Sequence, residues 1–217
     1  MNARVKKSTA RLKKTAEFFT PMRLVNEMID KIVESSPDSF ADPDKTFLDP
    51  TCGNGQFIMG TLKRKVKNSV SKEHAIKTTF GADLMVDNIA DLMARIVFWK
   101  EFNIDIFDDK GNPVSDLKHD CHDDNHSIYW LHENGIKDYK RTYIFKGITV
   151  SIRQHPKKWW LFEHKYKSAK VSKLHYSGGG WNTNYVVADA FKYNYNFDGN
   201  CPNLEDIKKV QRKKKAA

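Results

Sequence analysis

The chain has 217 residues, 40% of them apolar and 12% aromatic, and a formal net charge of +10, which suits one soluble domain, or one domain with an insertion, around a proper core. No apolar run is long enough for a bilayer, and the polar opening MNARVKKSTARLKK lacks the apolar stretch of a signal peptide, so a cytoplasmic protein without membrane contact is expected. Three cysteines, Cys52, Cys121 and Cys201, are an odd and sparse set that argues against a disulfide framework.

In chain order, residues 1–16 read as a basic tail. TPMRLVNEMIDKIVESS carries Leu24, Val25, Met28, Ile29, Ile32 and Val33 at helical spacing, with Thr20 as the expected N-cap and Pro21 at the first helical position. Residues 36–45 are turn-rich and predict a loop. TFLD predicts a short buried strand, and QFIMGTLKRKV a helix whose cationic last turn suits its dipole. SKEHAIKT follows as a small helix, TFGAD as a second strand and VDNIADLMARIVFWKEFN as a long amphipathic helix.

Residues 105–127 predict a loop, RTYIFKGITVSIRQ and KKWWLFEHKYKSAKVSKLHY predict β-strands, and SGGGWNTN a connector. NYVVADAF is a further strand ending in an acid. The alternation of strands and helices predicts an α/β domain over residues 17–203, with a doubly wound parallel sheet and an insertion over 105–183 before the last strand. Residues 204–217 form a second basic tail.

Charge is unevenly placed. Residues 1–14 hold six Lys or Arg and no acid, and residues 204–217 hold six against Glu205 and Asp206, so the tails carry +6 and +4 and the body between them is neutral. Within that body, residues 141–176 carry nine basic residues against Glu163 alone. The tails are read either as solvated ends or as weak attractors of a polyanion.

FLDPTCGNGQF, residues 47–57, is the most informative stretch. In an open α/β sheet, ligands bind beyond the carboxyl ends of the strands, where loops lead into helices. Gly53 and Gly55 allow a turn with positive φ and a close approach of the main chain to a ligand. The N–H groups at the following helix start favour an anionic group. The second strand ends in Asp83, whose two oxygens match a ribose diol. The third offers Asp189 to a purine amine, with Phe191 or Leu84 against the ring. Together with Asp49, these strand ends read as a nucleoside site.

FFTP before a helix, DPTCGNGQF, GADLMVDN and VVADAF together resemble the cofactor-binding half of the S-adenosylmethionine-dependent DNA adenine methyltransferases, type I modification subunits among them. The resemblance covers residues 17–104 and 184–198. It implies a Rossmann-like class I methyltransferase fold, with Phe19, Thr20 and Pro21 bordering the methionine end of S-adenosylmethionine. Asp49, Thr51, Gly53, Asn54 and Gly55 would surround its amino-acid part, Asp83 would hold the ribose, Leu84 would lie beside the adenine, and Asp189 and Phe191 would meet the adenine amine and ring. The leading Asp49-Pro50 is foreign to dinucleotide fingerprints.

The family also carries an Asn/Asp-Pro-Pro-aromatic run that holds the target amine and stacks on the flipped base. No such run occurs here. The nearest echo is FDGNCPN, in which Asn200 and Pro202 are the candidate catalytic remnants. Three readings stay open: a partner chain supplies the catalytic part, the protein is a phage-type accessory that binds cofactor without methyl transfer, or the insertion supplies an unfamiliar constellation. The resemblance places the protein in a bacterial or phage-infected cytoplasm.

The insertion interleaves cations with Tyr143, Phe145, Trp159, Trp160, Phe162, Tyr166 and Tyr176, a composition that suits nucleic acid, most simply DNA. Lys157, Lys158, Trp159 and Lys165 are the candidate contacts; a bland basic sheet is the alternative. HDCHDDNH, residues 119–126, contains competent metal ligands but lacks the paired spacing of a structural zinc site and is read as a polar loop, with no metal assigned. Cys52 has no His nearby in sequence and is read as a small packing residue.

Overall fold

The computed structural model describes residues 20–106, 118–119, 140–155, 158–166, 173–175, 184–195 and 197. The first helix, α1, spans Met22–Ser35. Pro21, not Thr20, occupies its cap position, without a side-chain hydrogen bond, and the Pro21 carbonyl accepts the Val25 N–H at 3.1 Å. Proline's fixed φ pre-forms that start without a capping hydroxyl.

Met22, Val25 and Ile29 are buried against α2, Gln56–Lys67. The contact is made at Gly60, where a Cβ would lie 2.7 Å from Val25 Cγ1 and 2.9 Å from Ile29 Cδ1. The segment expected as an open loop contains a 3-10 turn, Pro37–Phe40, because Phe40 is drawn inward to stack on Phe47 with ring centroids 4.6 Å apart.

Three parallel strands follow the predicted alternation: β1, Phe47–Asp49; β2, Thr79–Asp83; and β8, Tyr185–Val187, in the order β1-β2-β8. A short α3, Lys72–Lys77, precedes β2 and is capped by Ser71, whose hydroxyl accepts the His74 N–H at 3.2 Å. Contrary to expectation β1 is not fully buried: Leu48 is 47% exposed. Asn184 anchors the start of β8 by donating from Nδ2 to the carbonyls of Ile76 (2.9 Å), Lys77 (3.0 Å) and Thr79 (3.2 Å).

The inserted strands are β3, Lys118–His119; β4, Lys140–Phe145; β5, Ile148–His155; β6, Lys158–Tyr166; and β7, Lys173–His175. They form an antiparallel sheet in sequential order. The segment 105–127, expected to be loop throughout, therefore contributes a strand at Lys118–His119, because those residues pair with Ile144 and Tyr143. The long helix α4, Val86–Phe102, lies between the two sheets and touches β2, β8 and β5.

The β4–β5 hairpin turns at Lys146 and Gly147, with φ of 47° and 78°; this left-handed pair is what a two-residue turn of matching twist requires. Tyr143, Phe145, Ile148, Val150 and Ile152 join α4 in one core, and Phe98 meets Phe145 edge-on with ring centroids 6.4 Å apart. That second sheet explains why α4 departs from the amphipathic expectation. Every residue from Val86 to Trp99 is buried, including Asp87, Asn88, Asp91 and Arg95. Among the described residues no helix is long and apolar enough to cross a membrane.

Candidate functional site

The register pairs Asp49 with Gly81 and Asp83 with Val187, so Asp49 and Asp83 fall on one pleat phase two residues apart. The last strand is shorter than expected. It ends at Val187, and Asp189 lies two residues further, in a turn, while the Ala188 N–H still donates to the Asp83 carbonyl at 2.9 Å. Asp49, Asp83 and Asp189 thus leave the same end of the sheet.

The loop after β1 is built from the backbone outward. The Cys52 N–H extends the ladder to the Ala82 carbonyl at 2.8 Å, and the Gly55 N–H closes a turn on the Cys52 carbonyl at 2.8 Å. Gly53 and Gly55 adopt φ of 54° and 86°, as the turn requires. Asp83 is the organising acceptor: its Oδ2 takes the Gly53 N–H at 3.0 Å, and its Oδ1 takes the Met85 N–H at 2.8 Å and Asn88 Nδ2 at 3.0 Å. One carboxylate therefore fixes both the glycine turn and the first turn of α4.

Gly55 is required for a second reason that differs from the expected ligand approach. A Cβ there would sit 2.2 Å from Leu92 Cδ1, so the space is taken by α4 and not by a ligand. Gly53 is left as the glycine whose N–H faces Asp83. The start of α2 has no side-chain cap and no acid in its first turn, which leaves its leading N–H groups without a local anion.

Electrostatics follow from burial. Desolvation raises the Asp49 carboxyl above the usual aspartate range, opposed by the Thr51 N–H, which donates to its Oδ1 at 3.1 Å. Burial, with the nearby Asp83 and Asp49 carboxylates, pushes the Cys52 thiol well up, so it stays protonated. A Cβ at Gly81 would lie 3.0 Å from Cys52 Sγ; the thiol fills the groove beside β2 as a packing group.

The remaining predicted residues are placed unevenly. Asn54 is buried and its Oδ1 has no hydrogen-bond partner; Thr51 is exposed. Leu84 is half-buried. Asp189 is engaged locally, its Oδ1 accepting the Phe191 N–H at 3.0 Å and its Oδ2 pairing with Lys192 at 3.2 Å. Phe191 is 98% exposed.

Thr20 and Pro21 stand at the head of α1, and the neighbouring Met22 reaches to within 3.8 Å of a Cβ position at Gly60. Lys158, Trp159 and Lys165 lie on β6, where the backbone register sets Lys158 opposite His155 and Lys165 opposite Thr149. Phe19, Lys157, Asn200 and Pro202 lie outside the described residues, as do residues 120–126 of the His/Cys/Asp stretch; among the described residues no group of three or more metal-competent side chains occurs.

Sequence reasoning missed three features of the site's frame. Arg95 is buried and donates from Nη1 to the Asn54 carbonyl at 3.1 Å and from Nη2 to Gln56 Oε1 at 3.4 Å. Its one visible signal is an arginine inside the apolar run LMARIVF. Asn184, anchoring β8, had no signal. Tyr193, Tyr195 and Phe197 pack edge-on or tilted against one another with centroids 5.1–6.2 Å apart, and Phe197 meets Phe80 of β2 at 4.8 Å. Their alternate spacing was the available clue.

No protein-family model, curated protein or solved structure matches the chain.

Proposed function

We propose that this chain binds S-adenosylmethionine at the carboxyl end of its parallel sheet, in a Rossmann-like doubly wound frame, and that it is a DNA adenine methyltransferase-like protein. The observation that carries the reading is the 3.0 Å hydrogen bond from the Gly53 N–H to Asp83 Oδ2. It joins the glycine turn after β1 to the acid at the end of β2, the pair of features a nucleoside with a charged amino-acid arm needs side by side.

The residues present fit such a group. The uncapped start of α2 suits a carboxylate, and Asp49, Thr51, Gly53, Asn54 and Gly55, which lead directly into it, are the residues proposed to surround that group. Asp83 takes the ribose hydroxyls as an acceptor already held in place by three protein N–H donors. Leu84 and the exposed Phe191 ring are the apolar surfaces for the adenine, with Asp189 toward its amine. Thr20 and Pro21, preceded by Phe19, border the methionine end. The bound group would supply an activated methyl on its sulfonium; the chain's own part is to orient that methyl and exclude water.

DNA is the proposed substrate, engaged through the cationic insertion with Lys157, Lys158, Trp159 and Lys165. Asn200 and Pro202 are the proposed remnants at the target amine, completed by a partner chain. A second reading, cofactor binding without transfer, is favoured by one observation: the sequence contains no Asn/Asp-Pro-Pro-aromatic run.

Calorimetric titration of the full chain with S-adenosylmethionine tests the binding claim. Wild type is expected to bind, and Asp83→Ala to weaken binding roughly a hundredfold, the scale of losing hydrogen bonds to a charged acceptor. Absence of heat with wild type would discard the proposal. Methyl transfer from labelled cofactor to DNA then separates the two readings.

A further inference from the structure

A buried polar line runs from the glycine turn through α4 into the inserted sheet. At one end, the Arg95 guanidinium spans two acceptors on either side of Gly55: the Asn54 carbonyl at 3.1 Å and Gln56 Oε1 at 3.4 Å. One turn earlier on α4, Asp91 accepts the Tyr143 hydroxyl in a short hydrogen bond and pairs with Arg141 Nη1 at 3.2 Å. Tyr143 and Arg141 belong to β4, and the Arg141 guanidinium lies 5.5 Å from the Tyr143 ring centroid.

Asp91, Arg95, Arg141 and Tyr143 are all buried. Burial lowers Arg95 only to about 10, with Asp105 and Asp91 favouring its charge, so it is a cation at neutral pH. Buried charges of this kind hold their partners firmly, because separating them strands a charge without water. Asp91 and Arg95, four residues apart, share one face of the helix. An apolar side chain on α4 could not donate to the Asn54 carbonyl or to Gln56 Oε1, so two buried acceptors call for a forked donor at this point. The fork holds one peptide carbonyl, that of Asn54, and the side chain of Gln56, the first residue of α2, so it clamps the chain on both sides of Gly55 at the point where the α2 N–H groups begin.

We propose that Arg95 is the positioning residue of the ligand-binding glycine loop, and that Asp91 with Arg141 and Tyr143 makes the pose of that loop depend on the docking of the inserted sheet. The inference rests on the reading of the loop as a ligand site. Its physical content is nevertheless separable from any ligand: a loop held by a fork, and a fork held by a distant hairpin.

Two readouts on the full chain test it. Amide hydrogen exchange over residues 52–57 reports the loop alone, and titration with S-adenosylmethionine reports its competence. Arg95→Lys keeps the charge but offers no planar fork for two acceptors. It is expected to speed loop exchange and weaken binding about tenfold each. Tyr143→Phe, which removes one hydroxyl from a residue on the other sheet, is expected to shift both in the same direction by about threefold. Val150→Ala, which trims the core beside its register partner Tyr143 but removes no hydrogen bond to Asp91, is expected to speed loop exchange less than Tyr143→Phe does.

Wild-type exchange in Arg95→Lys overturns the role of Arg95. Wild-type exchange in Tyr143→Phe, or equal acceleration in Val150→Ala, overturns the link to the inserted sheet. Faster loop exchange in Arg95→Lys combined with no heat from wild type would remove the S-adenosylmethionine reading while leaving the positioning role intact.

Discussion

At the scale of single residues, burial sets the chemistry. Asp49 carries a carboxyl raised by desolvation and only partly offset by the Thr51 N–H. Because its folded-state value lies above that of the unfolded chain, the folded state binds the extra proton, and stability falls as pH rises from the ordinary aspartate value through the raised one. Asp49→Asn keeps an acceptor for Thr51 and removes the titration. Urea midpoints between about pH 4 and 7 are expected to decline less with pH in that variant than in wild type. Lys65 shows the limits of reading such groups from sequence. By sequence it is one of several cations in a last turn that suits the helix dipole, with no partner indicated. In the fold it is fully buried, donating to the Lys45 carbonyl at 2.5 Å and Thr78 Oγ1 at 2.6 Å, with its ammonium 5.3 Å from the Phe47 ring centroid. Nothing local to LKRKVK marks which of its cations turns inward.

At the scale of elements, glycines decide how closely helices approach. Gly60→Ala gains helix propensity of up to about 1 kcal/mol but drives a methyl against Val25 and Ile29 of α1, an overpacking cost of about 1–3 kcal/mol. Net destabilisation of about 1 kcal/mol is expected by urea unfolding, with Val25→Ala in the same chain relieving part of it. The elements themselves were legible because their signals are local. Apolar periodicity marks α1, α2 and α4, and short apolar runs ending in acids mark β1, β2 and β8. The glycine turn was legible for the same reason, since positive φ at Gly53 and Gly55 is a demand on the residue itself. The burial of α4's polar face was not legible. Asp91 and Arg95 look solvated by spacing, yet Asp91 meets Tyr143 and Arg141 of the later β4, which no period in α4 announces, and Arg95 meets the glycine turn. Termini also drifted, at Pro21 and at Val187, because caps depend on which partner a carbonyl or N–H finds in three dimensions.

At the scale of the molecule, α4 is shared by two sheets of different construction, parallel on one side and antiparallel on the other. Charge is divided along similar lines: a neutral body holds a cationic insertion between two cationic tails. If the insertion meets DNA phosphates, replacing Lys157, Lys158 and Lys165 together by Ala should flatten the salt dependence of binding by roughly one unit of log–log slope for each phosphate no longer neutralised. A slope equal to that of wild type would assign the attraction to the tails.

The pairing of β2 with β8 has a kinetic consequence. Asp83 and Val187 are register partners although about 100 residues separate them, and parallel pairing at such range closes slowly. On a ribosome adding about 5–20 residues per second, the Thr79–Asp83 edge emerges roughly 5–20 s before its neighbour does. The inserted hairpins, whose contacts are sequential, can assemble and cover α4 within that delay. Vectorial synthesis therefore favours a nascent intermediate in which the antiparallel sheet is already seated while one side of the parallel sheet still awaits its last strand.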